Sequence, residues 1–422
     1  MATEGAPTRF RGWLIVAVGF VAQFLALGCT IAVYGLFIPV LTEEFGATFL
    51  TANLGLSLIG LVMALAGAFI GPLLDRGSIR AVMATGAALN GCAFFAMAFA
   101  TELWQLGLLF GAVVALGTVM LGPLASNTVI AKWFARRRGR AIGIASMGPP
   151  TGGFLLSPVV GELITDHGYQ SALLTFAALH LFIIPFIWVV VRNNPADLGQ
   201  LPDGETPSPD APSVPVGHEW STGEVLRARN FWVIAIALGM VGAVAGSFNA
   251  NVIPFANDLG YTLQEASLLI SALGGTAIIG TLLFGLLADR VDNRLLLLVA
   301  VAVQALPFVY LRFSEPGYLP LLGSVLVFGL AAGSLGPVVA SAIGQGFGAM
   351  SFGRVMGFIG PVTLPFGFVG PPLVGWLRQQ TGSYHAAFEL FTGVFVVALV
   401  VLMVLRLPKP SSSRSVSSEQ FE

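Results

Sequence analysis

Twelve long apolar stretches, separated by short polar loops, constrain this chain more than any other feature. Most of them could form a helix of about 20 residues, which is the length that crosses the hydrocarbon of a bilayer. Charged residues make up only 10% of the 422 residues, against roughly 25% in a soluble domain. Lipid offers no partner to open backbone groups, and the stretches lack the alternation of barrel strands, so we predict an all-α membrane protein. The predicted spans are 12–41, 51–74, 81–101, 103–131, 141–162, 168–191, 231–257, 266–288, 295–312, 317–346, 355–377 and 385–406.

Lysine and arginine fall almost entirely on one side of these spans. If the N-terminus is cytoplasmic, eighteen of the 20 Lys and Arg residues lie in inner loops and tails, and only Arg312 and Arg378 lie outside. This positive-inside bias also requires an even number of spans. We therefore expect a multi-pass protein of the cell (inner) membrane with both termini in the cytoplasm.

A polar loop recurs at half the length of the chain. Residues 71–80 read GPLLDRGSIR, and residues 285–294, an offset of 214, read GLLADRVDNR. In both copies Asp follows the first Gly by four residues, and Arg follows it by five and by nine. Other matches at this offset are Gly122-Pro123 with Gly336-Pro337, Gly139-Arg140 with Gly353-Arg354, and Gly143 with Gly357. Such a register predicts two six-helix bundles in the same orientation, related by a pseudo-twofold axis along the membrane normal.

The predicted bundles are 1–192 and 231–407, joined by a cytoplasmic linker at 193–230. The linker is rich in proline, serine and acidic residues, as flexible connections are. It ends in Ser221-Thr222-Gly223-Glu224, a capping box that predicts a short amphipathic surface helix. The Ser-rich segment 408–422 is predicted to be a disordered cytoplasmic tail.

The loop motif, the duplication and the twelve spans together resemble the major facilitator superfamily. The residues that match its signature are Gly71, Asp75, Arg76 and Arg80, with their copies Gly285, Asp289, Arg290 and Arg294. The resemblance implies two bundles that rock around a central site. The stretch 133–143, WFARRRGRAIG, is similar to the monocarboxylate and oxalate/formate transporter branch, which implies a small organic acid as substrate.

The chain departs from that branch at the positions where a cation would hold a carboxylate. Carboxylate-carrying members usually place an Arg in helix 8, four residues before the second motif Gly, where this chain has Thr281. Oxalate-type relatives also use a Lys in helix 11, and 355–377 contains none. The sequence therefore predicts a central cavity without a buried cation.

The eight motif residues are candidates for an inner gate. An Asp beside two Arg at the inner end of a helix can pair with helix ends of the other bundle. Arginine in an inner loop is also expected from orientation alone. Because the whole Asp-Arg spacing recurs, we favour the interpretation of these residues as an inner gate over a role in orientation alone.

Polar residues are few within the spans, and each should face the bundle interior and find a partner. For one such residue alone an interhelical hydrogen bond is the commoner role, but as a group we expect some to contact substrate. Tyr34 and Asn249 are equivalent at an offset of 215, so we predict that both face the axis between the bundles. The candidate substrate-binding residues are Tyr34, Asn127, Met147, Thr151, Asn249, Asn251, Thr276 and Thr363.

Several kinds of chemistry have no sequence signature here. No nucleotide-binding loop or catalytic constellation occurs, and Cys29 and Cys92 lack metal-ligand spacing. We expect no enzyme activity, cofactor, metal or nucleic-acid partner, and a monomer in the lipid bilayer. No span has an acid near its centre, and His180 is typical of a hydrogen-bonded core histidine. Exchange, facilitated diffusion and co-transport of a proton therefore remain alternatives.

The leading interpretation is a secondary active transporter of a small organic solute, with a monocarboxylate as first candidate. The run Gly148-Pro149-Pro150-Thr151-Gly152-Gly153 partly resembles drug/proton antiporters, so the alternative is an exporter of uncharged or amphipathic compounds. A second alternative is a membrane sensor that does not transport, although no long output domain is present.

Overall fold

Twelve long helices make up the computed structural model, which describes residues 10–47, 49–204, 218–261, 263–314 and 317–407. Eleven of these helices are long and apolar enough to cross a bilayer, and α5 is the exception. The twelve are α1 (Gly12–Ala32), α2 (Phe49–Arg76), α3 (Ile79–Met97), α4 (Leu103–Trp133), α5 (Arg138–Ser146 continued by Gly148–His167), α6 (Tyr169–Val190), α7 (Arg229–Asp258), α8 (Leu263–Leu287), α9 (Asn293–Phe313), α10 (Tyr318–Phe347), α11 (Phe352–Thr381) and α12 (His385–Met403).

Helix α5 runs between the two ends of the molecule, as the other helices do. Just before its start, the indole of Trp133, the last residue of α4, donates to the carbonyl of Arg192, just after α6. At its finish Tyr169, the first residue of α6, packs edge-to-face on Phe45 at 6.0 Å. The helix is interrupted at Met147, because the two prolines that follow lack backbone donors. Glycines and prolines lower the hydropathy of α5, so it is not among the eleven apolar helices, but it still runs from one end of the molecule to the other. With α5 included, the number of long helices in the described chain is even.

The helices pack as two related halves, α1–α6 and α7–α12. In the N-terminal half α3 packs against α4 and α6, and in the C-terminal half α9 packs against α10 and α12. Between the halves α2 lies on α11, and α8 lies on α5. At an offset of 214 residues α2 corresponds to α8, and α5 corresponds to α11. The interface of α2 with α11 is therefore equivalent to that of α8 with α5. This arrangement confirms the predicted fold of two bundles related by a pseudo-twofold.

The halves meet closely at the end that carries the loops 71–80 and 285–294, which we call the motif end. A Cβ added at Gly71 of α2 would overlap the carbonyl of Gly353 in α11. In the copied interface a Cβ at Gly285 of α8 would lie 2.8 Å from the Cα of Gly143 in α5. Only glycine permits backbones to approach this closely.

Toward the opposite end the same helices separate. A Cβ added at Gly60 of α2, at Gly274 of α8 or at Gly367 of α11 would meet no described atom within 4 Å. The halves therefore pack closely at the motif end and part toward the other end, from which we infer a central cleft between them that opens there.

Three helices of the N-terminal half are irregular where their copies are continuous. Helix α1 winds as a π-helix over Phe24–Ala32 and is followed by a 3-10 turn at Tyr34–Phe37. Helix α4 has π turns at Leu109–Val114 and bends at Gly122, before Pro123. The equivalent helices α7, α10 and α11 each run as α-helix throughout. The regular helix predicted over 12–41 therefore ends early, and π turns of this kind are frequent at functional sites.

The linker is described at both of its ends. Thr222–Arg227 forms the expected short helix, and Ser221 and Glu224 form the expected capping box. Residues 205–217 of the predicted linker and the predicted tail 408–422 lie outside the described residues.

The glycine contact at the motif end gives a first prediction. Gly71→Val places methyl groups where the carbonyl of Gly353 lies, and overpacking of this kind costs about 1–3 kcal/mol. We expect the purified variant to unfold at a lower Tm than the parent protein. Gly60→Val, on the same helix but facing open space, is the matched control and should change Tm less. Equal Tm losses in both variants would contradict the close packing of α2 on α11.

Candidate functional site

The first motif carboxylate binds the start of a helix in the other half. Asp75, in the last turn of α2, accepts hydrogen bonds from the backbone N–H groups of Gly353 at 2.9 Å and Arg354 at 2.7 Å. These N–H groups belong to the first turn of α11 and have no partner within that helix. A negative charge here also faces the positive end of the helix dipole.

The second motif carboxylate repeats this contact in the opposite direction. Asp289, just beyond α8, accepts from Gly139 N–H at 2.6 Å and from Arg140 N–H at 2.9 Å, in the first turn of α5. Burial raises the pKa of Asp289, and the two N–H donors act against this rise. The donors thus offset part of the cost of holding a charge between the halves.

Each acceptor needs a glycine at the helix start that it caps. A Cβ at Gly353 would lie 2.8 Å from Asp75 Oδ1, and one at Gly139 would lie 2.7 Å from Asp289 Oδ1. In the sequence, the Gly139-Arg140 and Gly353-Arg354 pairs stand out only as repeat matches and are not among the predicted site residues. Their recurrence in step with the motif was the signal that could have identified them.

The last arginine of each motif is bound within its own half. The Arg80 guanidinium lies 4.5 Å from the ring centroid of Trp188, near the end of α6. Arg294 donates to the carbonyl of Met403, at the end of α12, at 2.5 Å. Since α6 and α12 are equivalent helices, these arginines fix the two motif loops in equivalent positions.

The first arginine of each motif is exposed, and one of the two contacts the linker. Arg76 donates to Glu219 Oε1 from Nη2 at 3.1 Å and from Nε at 3.2 Å, and Arg290 is exposed. The same Glu219 oxygen pairs with the buried Arg354 at 3.4 Å. Hydrogen bonds from Arg76 and Arg354 lower the pKa of Glu219, so its charge persists at neutral pH. The linker therefore joins α2 to α11 at the motif end.

Two further contacts hold the linker in place. Arg354 also donates to the carbonyl of Trp220, whose own N–H donates to Ser351 Oγ at 2.8 Å. Earlier in the linker, the Asp203 carboxylate accepts from the N–H groups of residues 135, 136 and 137 at 2.9, 2.7 and 3.1 Å. The first described part of the linker thus lies on the N-terminal half, and the second lies on the C-terminal half and reaches α2 through Glu219.

The candidate substrate residues on α4, α8 and α11 all have hydrogen-bond partners within their own half. Asn127 is 4% exposed and accepts from Gln23 Nε2 at 3.1 Å. The Thr276 hydroxyl donates to the carbonyl of Ala272 at 3.0 Å, and that of Thr363 donates to the carbonyl of Gly360 at 3.0 Å. A threonine bonded this way keeps its acceptor lone pairs for another donor.

The α5 and α7 candidates are more accessible. Met147, at the break in α5, and Thr151, one turn later, are half-buried. Asn249 is exposed, whereas Asn251 donates to the carbonyl of Ser247 at 2.8 Å and accepts from the Tyr384 hydroxyl at 3.4 Å.

Tyr34 lies within the N-terminal half and does not mirror Asn249. Its ring stacks on Phe110 with centroids 5.1 Å apart, and it borders a cavity of about 740 Å³ that is lined mostly by residues of this half. The eight candidates are therefore divided between this cavity, the interiors of the two halves and the accessible faces of α5 and α7. Thr281, where a cation was considered, is buried and donates to the carbonyls of Ala277 at 2.7 Å and Gly333 at 2.9 Å.

The Major Facilitator Superfamily profile matches residues 19–253 and 240–422. The chain belongs to the major facilitator superfamily. It is 28% identical to human Monocarboxylate transporter 11, covering 96% of this chain and 85% of that protein. It is 27% identical to rat Monocarboxylate transporter 12, covering 97% of this chain and 88% of that protein. The resemblance to monocarboxylate transporters is confirmed, and the protein is an integral, multi-pass membrane transporter.

Solved structures with this fold include other members of the superfamily. FucP in the outward conformation has a TM-score of 0.69 at 15% identity, covering 93% of this chain and 99% of that one. The proton:xylose symporter XylE has a TM-score of 0.71 at 13% identity, covering 95% of this chain and 97% of that one. At these identities the likeness shows the shared fold.

The two carboxylate contacts predict how this superfamily member responds when one is weakened. Asp75→Asn and Asp289→Asn each replace one accepting oxygen with an amide donor and remove the charge that faces the helix start, which is worth about 0.3–1 kcal/mol. We expect each variant to add a population in which the motif end is wider. The measurement is the distance between spin labels at Arg137→Cys and Met350→Cys, in a background without Cys29 and Cys92. The control, Asp197→Asn, alters a cap within the linker; an effect as large as that of Asp75→Asn would contradict the gate.

The linker contact predicts a smaller effect in the same assay. Glu219→Gln weakens an exposed ion pair, which is worth about 0.2–1 kcal/mol. We expect a shift in the same direction but smaller than that of Asp75→Asn, and largely lost when Arg76→Gln is already present. Additive effects of the two substitutions would show that the pair does not hold the motif end.

Proposed function

We propose that this transporter carries a small organic solute by alternating access, with the motif end as one of its two gates. The observation that carries the proposal is the pair of reciprocal Asp contacts at one end of a cleft that is open at the other. Rocking of the halves would break both contacts together and expose the cleft on the motif side.

The strength of the gate suits a reversible motion. Each cap is worth about 0.5–2 kcal/mol, so the pair amounts to a few kcal/mol. A solute with a differential affinity of this size can shift the balance between the two states. At the opened end, water would replace the carboxylate as partner of the released N–H groups.

A monocarboxylate is the first substrate class that we propose. Similarity to proteins named monocarboxylate transporters, over nearly the whole of this chain, supports this choice. With Thr281 bonded to two carbonyls, the carboxylate would be held by amide and hydroxyl donors such as those of Asn249 and Thr151. Export of an uncharged or amphipathic compound is the second candidate, because Thr281 leaves this part of α8 without a cation.

We propose further that the protein lies in the cell membrane as a monomer, with both termini and the motif end in the cytoplasm. His180 is packed inside the N-terminal half, where its Nδ1 lies 2.8 Å from the carbonyl of Phe176, so we assign it no part in carrying a proton. Coupling to protons is then decided by whether an imposed pH gradient drives accumulation.

Proteoliposomes test this function and separate its candidates. Labelled 2-hydroxypropanoate should exchange with internal unlabelled solute faster than in protein-free liposomes, and Asp75→Asn should slow the exchange several-fold by favouring one gate state. The corresponding uncharged amide is the matched probe: faster exchange of the amide than of the acid would favour the second candidate. Binding of either solute without exchange would support a sensor and contradict transport.

A further inference from the structure

We propose that the N-terminal half contains a second binding site, separate from the central cleft, for a hydrophobic organic cation. The site is the cavity of about 740 Å³ that Tyr34 lines. This inference goes beyond the proposed transport, because it concerns a ligand bound within one half.

The walls of the cavity come almost entirely from helices of the N-terminal half. They include Tyr34 near α1, Phe94 in α3, Phe110 in α4 and Phe176 in α6, and one residue of the other half, Phe368, closes one side. Nine of its 22 lining residues are aromatic. A mainly apolar cavity of this size with few polar groups has the character of a small-molecule site.

The corresponding cavity of the C-terminal half is smaller, at about 190 Å³, and Tyr384 and Phe388, the counterparts of Tyr169 and Leu173 at an offset of 215, line it. In the C-terminal half Phe308 packs against a cluster of rings, with Phe248 at 5.1 Å, Phe328 at 5.5 Å and Phe391 at 5.0 Å. Phe388 and Phe395 complete the cluster, at 6.2 and 5.9 Å from Phe308.

Smaller side chains stand at the equivalent positions of the N-terminal half. At offsets of 214 or 215, Phe94 corresponds to Phe308, and it contacts Phe176 at 5.4 Å as Phe308 contacts Phe391. Of the other four ring positions, the one equivalent to Phe395 holds His180, whose ring lies 5.3 Å from Phe94. The remaining three hold aliphatic residues: Val33 for Phe248, Val114 for Phe328 and Leu173 for Phe388. Of these three, Leu173 lines the cavity, where the larger Phe388 occupies the corresponding space in the other half.

The irregular turns of α1 and α4 form part of this wall. Cys29 and Thr30 lie in the π-helical part of α1, and Phe110 lies in that of α4. An apolar lining does not hold water well. A pocket of this size with few polar groups therefore fits an apolar ligand.

The charged residues near the cavity indicate whether a ligand there would be a cation or an anion. Glu102 lines the cavity, and Glu44 hydrogen-bonds Tyr169, another lining residue. No Lys or Arg occurs in 12–75, 81–131 or 141–191, so the loops at this end of the N-terminal half carry acids without basic partners. At the same end of the C-terminal half, by contrast, Arg312 and Arg378 are each paired with an acid.

Aromatic walls beside carboxylates that have no Lys or Arg partner favour a cation with apolar substituents. Ring faces attract cations, and the acidic rim raises the local concentration of cations while repelling anions. A carboxylate substrate is thus disfavoured in this cavity, which distinguishes it from the cleft.

Two ions of nearly the same shape and opposite charge test the proposal. Radiolabelled tetraphenylphosphonium and tetraphenylborate are titrated onto the full chain in nanodiscs of zwitterionic lipid, with empty nanodiscs as background. We expect saturable binding of the cation only. Equal saturable binding of the borate, or no saturable binding of the phosphonium, would overturn the proposal.

Matched variants locate the bound cation. Glu102→Gln keeps the side-chain shape and should weaken phosphonium binding roughly tenfold, whereas Glu162→Gln, exposed at the same end but outside the cavity, should not. Gly107→Phe projects a ring into the cavity and should abolish binding, while Gly60→Phe faces open space elsewhere and should leave it intact. Loss of binding in the controls, or binding that survives both cavity variants, would show that the cation lies elsewhere.

The same titration separates this site from the proposed transport. Asp75→Asn should slow solute exchange and leave phosphonium binding within twofold of the parent protein. If exchange fails altogether while phosphonium still binds, the transport proposal falls and the second site stands.

Discussion

A carboxylate that caps a helix in the opposite half is the contact on which the arrangement of this protein depends. The first N–H groups of α11 and α5 have no partner inside their own helices. Asp75 and Asp289 supply those partners from the other half, at 2.6 to 2.9 Å. Because both partners are near the molecular surface, water can replace the carboxylate when the halves part. The contact therefore stabilises the state in which the motif end is closed, but it can be broken reversibly.

The carboxylates reach these N–H groups only because glycines line the interface on both sides. Gly71 lies against Gly353, and Gly285 lies against Gly143, with no room for a Cβ at any of the four positions. Removing the side chains costs helix propensity, but it lets α2 and α11, and likewise α8 and α5, approach to backbone contact. The glycine of the motif thus allows the helices of the two halves to approach closely, and its aspartate accepts the hydrogen bonds that hold them together.

The sequence was sufficient to predict the class of fold, because periodic loops, charge bias and repeat all depend on local composition. It was not sufficient to identify the partners of the motif, since Asp75 and Gly353 are 278 residues apart and neither signals the other. The predicted equivalence of Tyr34 and Asn249 failed to anticipate their surroundings for a different reason. A π-helical stretch in α1, absent from α7, changes which way the following side chains face, and the periodicity of an apolar run does not reveal a π turn.

Duplication explains both the symmetry of the motif end and the asymmetry of the interiors. An interface built from two copies requires that Asp, Gly and the helix starts stay matched, because each half supplies the acceptor for the other's donors. Nothing in that requirement fixes the side chains inside a half. Phe308 contacts five rings, whereas its counterpart Phe94 contacts Phe176 and His180 and borders a cavity that Leu173 also lines. The interface constrains both copies alike, and the interior of each half is free to acquire its own chemistry.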